Sequence, residues 1–280
     1  MGSNSTWYGT DTRTDTERAG RAGWRLLGSA CGASRRAKPR GEECAGRILG
    51  MAGPAVLFDL YGTLLVPNEL TAPDATYEAM EGTSFARVLG LSGAALKAFC
   101  NGVLAAPAQR SRDDDFTIYE GRLYDHALLR GATVSSGSVR EAADCWVGAW
   151  QKGWTLDDQA REVIGALRSR AYSTALVTNF DHWPHIEGVV REHSLAELFD
   201  VIVVSSAVGY FKPDPRIFDH ALEALGVSAG DAGHVGDDDV DVLGAQAAGV
   251  APVRIDRAGH RDEPGVACIQ SLRELLDLYS

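Results

Sequence analysis

From residue 173 onward, short apolar runs alternate with amphipathic stretches, and few architectures accept that alternation. Ser173–Thr178, Val201–Ser205, Ala232–Val235, Ala251–Ile255 and Val266–Ile269 read as strands. Between and after them, His185–His193, Arg216–Leu225, Val240–Ala248 and Leu272–Tyr279 read as helices. Gly226 and Gly249 follow two of these, where a residue without Cβ ends a helix at little cost. Continuously apolar strands are buried on both faces, and strand–helix alternation lays crossovers onto a parallel sheet. The expected fold is therefore α/β, a doubly wound parallel sheet.

One more apolar run, Ala55–Leu60, lies far upstream of the others. The chain between carries apolar residues at three- and four-residue spacing near 74–90, 92–105, 113–130, 138–152 and 156–170, as in Phe85, Val88 and Leu89. Ser92, Ser138 and Thr155 suit helix starts. This block is expected to be an insertion above the carboxyl edge of the sheet, where the first strand releases the chain. Residues 51–66 and 171–280 then form the α/β core and 67–170 a helical domain. Residues 1–50 are rich in Gly, Arg, Ser and Thr, with Trp24–Leu27 their one apolar patch. They are expected to be a disordered leader, with Met51 the true start or the leader dispensable.

A formal charge of −11 argues against nucleic-acid and membrane-surface partners, both polyanions. Five scattered cysteines with no CxxC pair suit reduced thiols in the cytoplasm. No apolar run reaches the ~18 residues of a membrane span.

Function in an open α/β sheet collects at the carboxyl ends of strands, and four such places carry chemistry. Asp59 leaves the first strand into Gly62-Thr63. A carboxylate there can attack phosphorus or carbon and form an ester that water later opens. Thr178 and Asn179 end a second strand, where a hydroxyl and a backbone N–H can hold an anionic oxygen. Lys212 stands among Pro213 and Pro215, which fix the loop, and its ammonium can neutralise developing charge. Asp237, Asp238, Asp239 and Asp241 crowd one turn, tolerable if a hard cation sits among them. Asp237 is the expected Mg²⁺ ligand, with Asp238 and Asp241 as further ligands or as groups orienting Lys212. His182 and His185 have metal-like spacing but no third ligand, so a surface or core role is expected.

The segments Phe58–Leu64, Leu176–Asn179, Gly209–Phe218 and His234–Gly249, in this order, resemble the haloacid dehalogenase superfamily of hydrolases over about residues 54–278. The resemblance implies a Rossmann-like core with a helical cap between the first and second motifs. It implies Asp59 as nucleophile and metal ligand, the Tyr61 carbonyl as a second ligand and Asp237 as a third. Thr178 would bind the transferring group, Lys212 would steady Asp59, and Gly62 and Thr63 would shape the loop under the cap. The departure is Tyr61: family phosphatases generally carry an aspartate there as general acid and base. A phenol with pKa about 10 is a poor base at neutral pH.

Three activities remain open on these residues. The first is a Mg²⁺-dependent phosphatase of a small phosphorylated metabolite, motivated by the acid cluster. The second is a metal-independent L-2-haloacid dehalogenase, motivated by Tyr61; the cap arginine of those enzymes has Arg87 as its nearest counterpart, in dissimilar surroundings. The third is a binding or regulatory protein that kept the fold and lost turnover.

Overall fold

The computed structural model describes residues 25–27, 54–70, 75–106, 116–259 and 263–280. In chain order the elements are β1 (Arg25–Leu27), β2 (Ala55–Phe58), β3 (Leu65–Pro67), α1 (Ala75–Glu81), α2 (Ser84–Leu89), α3 (Gly93–Ala105), α4 (Ile118–Leu129), α5 (Ser136–Gln151), β4 (Trp154–Leu156) and α6 (Ala160–Ser169). Then follow β5 (Ser173–Thr178), α7 (Trp183–Glu192), β6 (Val201–Val204), α8 (Ser205–Val208), α9 (Arg216–Leu225), β7 (Ala232–Gly236), α10 (Asp239–Ala248), β8 (Ala251–Ile255), β9 (Ala267–Ile269) and α11 (Leu275–Leu278).

The sheet runs β1-β6-β5-β2-β7-β8-β9 with all neighbours parallel. Successive strand residues point to opposite faces, and β2 shows it. Val56 and Phe58 enter one core with helices α6 and α7, while Ala55 and Leu57 enter another with α9. Both faces are covered, which is why the strands read as unbroken apolar runs. Phe58 pairs with Leu176 of β5 on one side and Val235 of β7 on the other. The ends of β5, β2 and β7 therefore lie side by side at one edge.

The helical insert leaves after β3 and returns through β4. These two strands form an antiparallel ribbon, Leu65 opposite Leu156 and Pro67 opposite Trp154. Helices α1 to α5 bury a separate core that includes Met80, Phe85, Leu96, Leu123, Val139 and Val147. Thr83 breaks the expected 74–90 helix in two: its hydroxyl donates to the Met80 carbonyl and accepts from the Ala86 N–H, capping α2. Thr117 and Glu120 form a capping box that starts α4.

Several expectations are corrected by packing. Thr155 sits in β4, paired with Val66, rather than at a helix start. Helix α6, placed in the 67–170 block by its periodicity, packs Ala160, Val163, Ile164 and Leu167 onto the sheet. Periodicity reports an apolar face but not which core receives it. Of the expected leader, Arg25–Leu27 are described, and their backbone pairs with Val201–Val203 at the sheet edge. An open edge offers unpaired N–H and C=O groups, and the leader's one apolar patch meets them. The rest of that expectation, and Met51, lie outside the described residues. No described helix is long and apolar enough to cross a membrane.

Candidate active site

Asp59 follows β2 at the shared edge, its N–H bonded to the Val235 carbonyl at 2.9 Å. That bond carries the β2–β7 ladder one residue further and fixes the carboxylate between the ends of β5 and β7. Lys212 reaches it from the loop after α8: Nζ donates to Asp59 Oδ1 at 2.5 Å and to Asp241 Oδ1 at 2.6 Å. All three side chains are nearly buried. His234, on β7, places Nε2 3.0 Å from Asp241 Oδ1. One ammonium thus serves two carboxylates in a dry setting, where breaking the pair leaves an uncompensated charge.

The electrostatics follow from that sharing. Burial pushes Asp59 up to about 6, with Lys212 opposing and Asp241 adding to the rise. Burial also acts to raise Asp241, but Lys212 and His234 overcome it and hold its carboxyl well below the usual range. Burial disfavours the Lys212 charge, yet Asp59 and Asp241 more than offset this and hold its pKa above the ordinary lysine value. Asp237 is pushed up by burial and by the charge of Asp241. Like charges crowded this way are relieved by a divalent cation.

The Lys212 loop is braced by Asn179. Its Nδ2 donates to the Lys212 carbonyl at 2.9 Å, and its Oδ1 accepts from the Lys212 N–H at 2.8 Å. The Asn179 side chain is thus committed to the lysine loop, while the backbone N–H expected to hold a substrate oxygen is not part of that bracing. Thr178 is buried at the end of β5, adjacent to the end of β2. The Thr63 hydroxyl is buried with no hydrogen-bond partner among the described residues.

Gly62 has φ of +83°, and a Cβ built there would stand 2.2 Å from Asp237 Oδ2. Only glycine lets the acidic turn approach the Asp59–Thr63 loop this closely. One carboxylate oxygen each from Asp59, Asp237 and Asp241 lies within 4.8 Å of the others. Three hard oxygen donors suit Mg²⁺. Asp241 spends Oδ1 on Lys212 and His234 and Oδ2 on the Asp238 N–H. That leaves Asp59 and Asp237 best placed to hold a cation, with Asp241 holding Lys212. Asp238 is exposed and caps α10, outside the three-carboxylate group.

Tyr61 turns its side chain toward the helical insert. Its hydroxyl donates to Gln151 Oε1 at 2.6 Å and lies 3.1 Å from His185 Nε2. Its ring packs on Trp150, Trp154 and Phe180 at 4.6, 5.0 and 5.6 Å between centroids. Burial, and then the charge of Asp59, push the phenol far above its ordinary value. His182 is buried and bonds Thr117 Oγ1 and Asp144 Oδ1. Both histidines therefore join insert to core rather than forming a metal pair. Arg87 bonds the Thr83 carbonyl of its own helix cap.

Two arginines escaped sequence reasoning. Arg254 is 2 % exposed and donates to the Asp237 carbonyl, Asp239 and Glu263, holding the acidic turn from beneath. A charge inside the apolar run Ala251–Ile255 was its signal. Arg257 donates to the Gly62 and Thr63 carbonyls at 2.6 and 2.8 Å and to Asp157 Oδ2 at 2.7 Å. It ties the loop after Asp59 to Asp157, just beyond β4, and no local pattern marks it.

A family model described as haloacid dehalogenase-like hydrolase matches residues 54–249. A phosphoserine phosphatase of Thermus thermophilus is 35 % identical over 145 residues, 49 % of this chain and 56 % of that protein. A Pseudomonas (S)-2-haloacid dehalogenase is 30 % identical over 119 residues, 41 % of this chain and 52 % of its own length. The chain spans about half the length of the curated relatives it matches. Among solved structures, a HAD phosphatase from Thermococcus onnurineus superposes with a TM-score of 0.58 at 25 % identity, covering 80 % of this chain and 97 % of that one.

Proposed function

The chain belongs to the haloacid dehalogenase-like hydrolases, and from that premise we propose that it is a Mg²⁺-dependent phosphatase of a small phosphorylated metabolite. The observation that carries this reading is the convergence of Asp59, Lys212, Asp237 and Asp241 at one sheet edge. The helical insert is proposed to act as a cap that excludes water when it closes over this edge.

Asp59 attacks phosphorus, the bond to the leaving oxygen breaks, and an aspartyl phosphate forms; water then attacks the same phosphorus and restores the carboxylate. Lys212 holds Asp59 in line and offsets charge on the transferring group. Thr178 offers a hydroxyl to a phosphoryl oxygen. Asp59, Asp237 and the Tyr61 carbonyl would hold Mg²⁺, with Asp241 beside them, and the ion when bound would neutralise phosphoryl charge. Asp241 and Asn179 keep Lys212 in register from either side.

Phosphate release from a panel of small esters and anhydrides tests the reading. Turnover with Mg²⁺, lost with EDTA and in Asp59→Asn, is the expected result; Asp59→Asn indistinguishable from the wild type would sink it. The Pseudomonas relative and Tyr61 favour a second reading, attack of Asp59 on the carbon of a 2-haloacid. Chelator-insensitive halide release from 2-chloropropionate would establish it instead.

A further inference from the structure

The family resemblance puts the proton donor to the leaving group two positions after Asp59, at residue 61. Here that side chain is committed elsewhere. Gln151 Oε1 can only accept, so at 2.6 Å it takes the Tyr61 hydroxyl hydrogen. His185 Nε2 closes a triangle, 3.1 Å from both the Tyr61 hydroxyl and Gln151 Oε1. Trp150 and Phe180 contact the ring and also each other, at 5.8 Å, and Trp150 lies 5.2 Å from Trp154. Releasing the hydroxyl to serve a leaving group would break two hydrogen bonds and disturb three aromatic contacts supplied by α5, β4, α7 and the loop after β5. The other carboxylates of the site, Asp237 and Asp241, face the cation position and Lys212.

Resting on the phosphatase reading, we propose that the substrate is an activated phosphoryl compound, an aryl or acyl phosphate, whose leaving group departs as a stable anion. As the Asp59 oxygen bonds to phosphorus, the phosphorus–oxygen bond breaks and its electron pair stays on the leaving oxygen. A phenolate or carboxylate carries that pair without a proton. An alkoxide does not, so alkyl phosphates are poor substrates. Water then attacks the aspartyl phosphate, releasing phosphate and passing its proton to solvent.

The experiment measures kcat/KM, with Mg²⁺, for para-nitrophenyl, phenyl, acetyl and ethyl phosphates on the full chain. Ethyl phosphate is expected about 10²–10⁴-fold below the aryl and acyl compounds, the contribution a positioned acid would make. The relative rates of phenyl and acetyl phosphate separate an aryl from an acyl source. Tyr61→Phe keeps the ring packing and is expected to leave the alkyl-to-aryl ratio where it was. Tyr61→Asp is expected to raise ethyl phosphate selectively. Ethyl phosphate within tenfold of phenyl phosphate, or a selective fall in ethyl phosphate with Tyr61→Phe, overturns the inference and spares the phosphatase reading. Phosphate from no compound overturns both.

Discussion

Lys212 Nζ lies 2.5 Å from Asp59 Oδ1, although 153 positions separate the two in the chain. The same ammonium holds Asp241. Replacing it by methionine therefore strands two buried carboxylates at once. Lys212→Met is expected to lower unfolding free energy by about 3–5 kcal/mol and the rate by about 10²–10³-fold. Denaturant titration and steady-state kinetics check the two effects.

Gly62 and Gly90 separate backbone strain from collision. Both have positive φ, +83° and +62°, but only Gly62 has atoms within reach of an added Cβ. Gly90→Ala is expected to cost about 1 kcal/mol. Gly62→Ala adds displacement of Asp237 and is expected to weaken Mg²⁺ binding as well. Isothermal titration of Mg²⁺ into both variants distinguishes them, since Gly90→Ala should bind normally.

His185 makes stability depend on acid. Burial, and then the charge of His182, lower its pKa from 6.5 to about 4, with Asp144 opposing. Between these values the unfolded chain binds a proton that the folded chain refuses. Stability therefore falls as pH drops from about 6.5 to about 4, and above that window His185 contributes no slope. His185→Gln is expected to flatten this part of the profile, read as denaturation midpoints at several pH values.

Arg257 and Asp157 are expected to act as a unit. Their ion pair at 2.7 Å shares the guanidinium that holds the Gly62 and Thr63 carbonyls. Arg257→Lys loses the planar fork that spans three acceptors. A fall in kcat of about tenfold, with a smaller change in KM, is expected as the Asp59–Thr63 loop loosens. A double-mutant cycle with Asp157→Asn should give a coupling of about 0.5–1 kcal/mol; additivity would refute the pairing.

Much of the core was legible in sequence because its signals are local. β5, α9 and β8 fall where apolar runs and helix-ending glycines place them. Asp59 and the acidic turn stand out for a similar reason, each following a strand end, and Lys212 stands out by the prolines of its loop after α8. What escaped notice depends on distant partners. The short strand of Trp154–Leu156 exists because Leu65–Pro67 pairs with it. The bracing of the Lys212 loop by both ends of the Asn179 amide likewise spans 33 positions and has no local signal.

By itself, the sequence determined the parallel sheet, its helical insert and the edge where reactive groups would gather, since burial periodicity and strand-end chemistry are written within a few residues. Tertiary structure alone decided how those groups divide their work. Asp241 holds a lysine rather than standing free, Asp238 caps a helix, and the Tyr61 hydroxyl is bound to Gln151. Each outcome depends on which partner a side chain meets across dozens of residues, and only packing sets that distance.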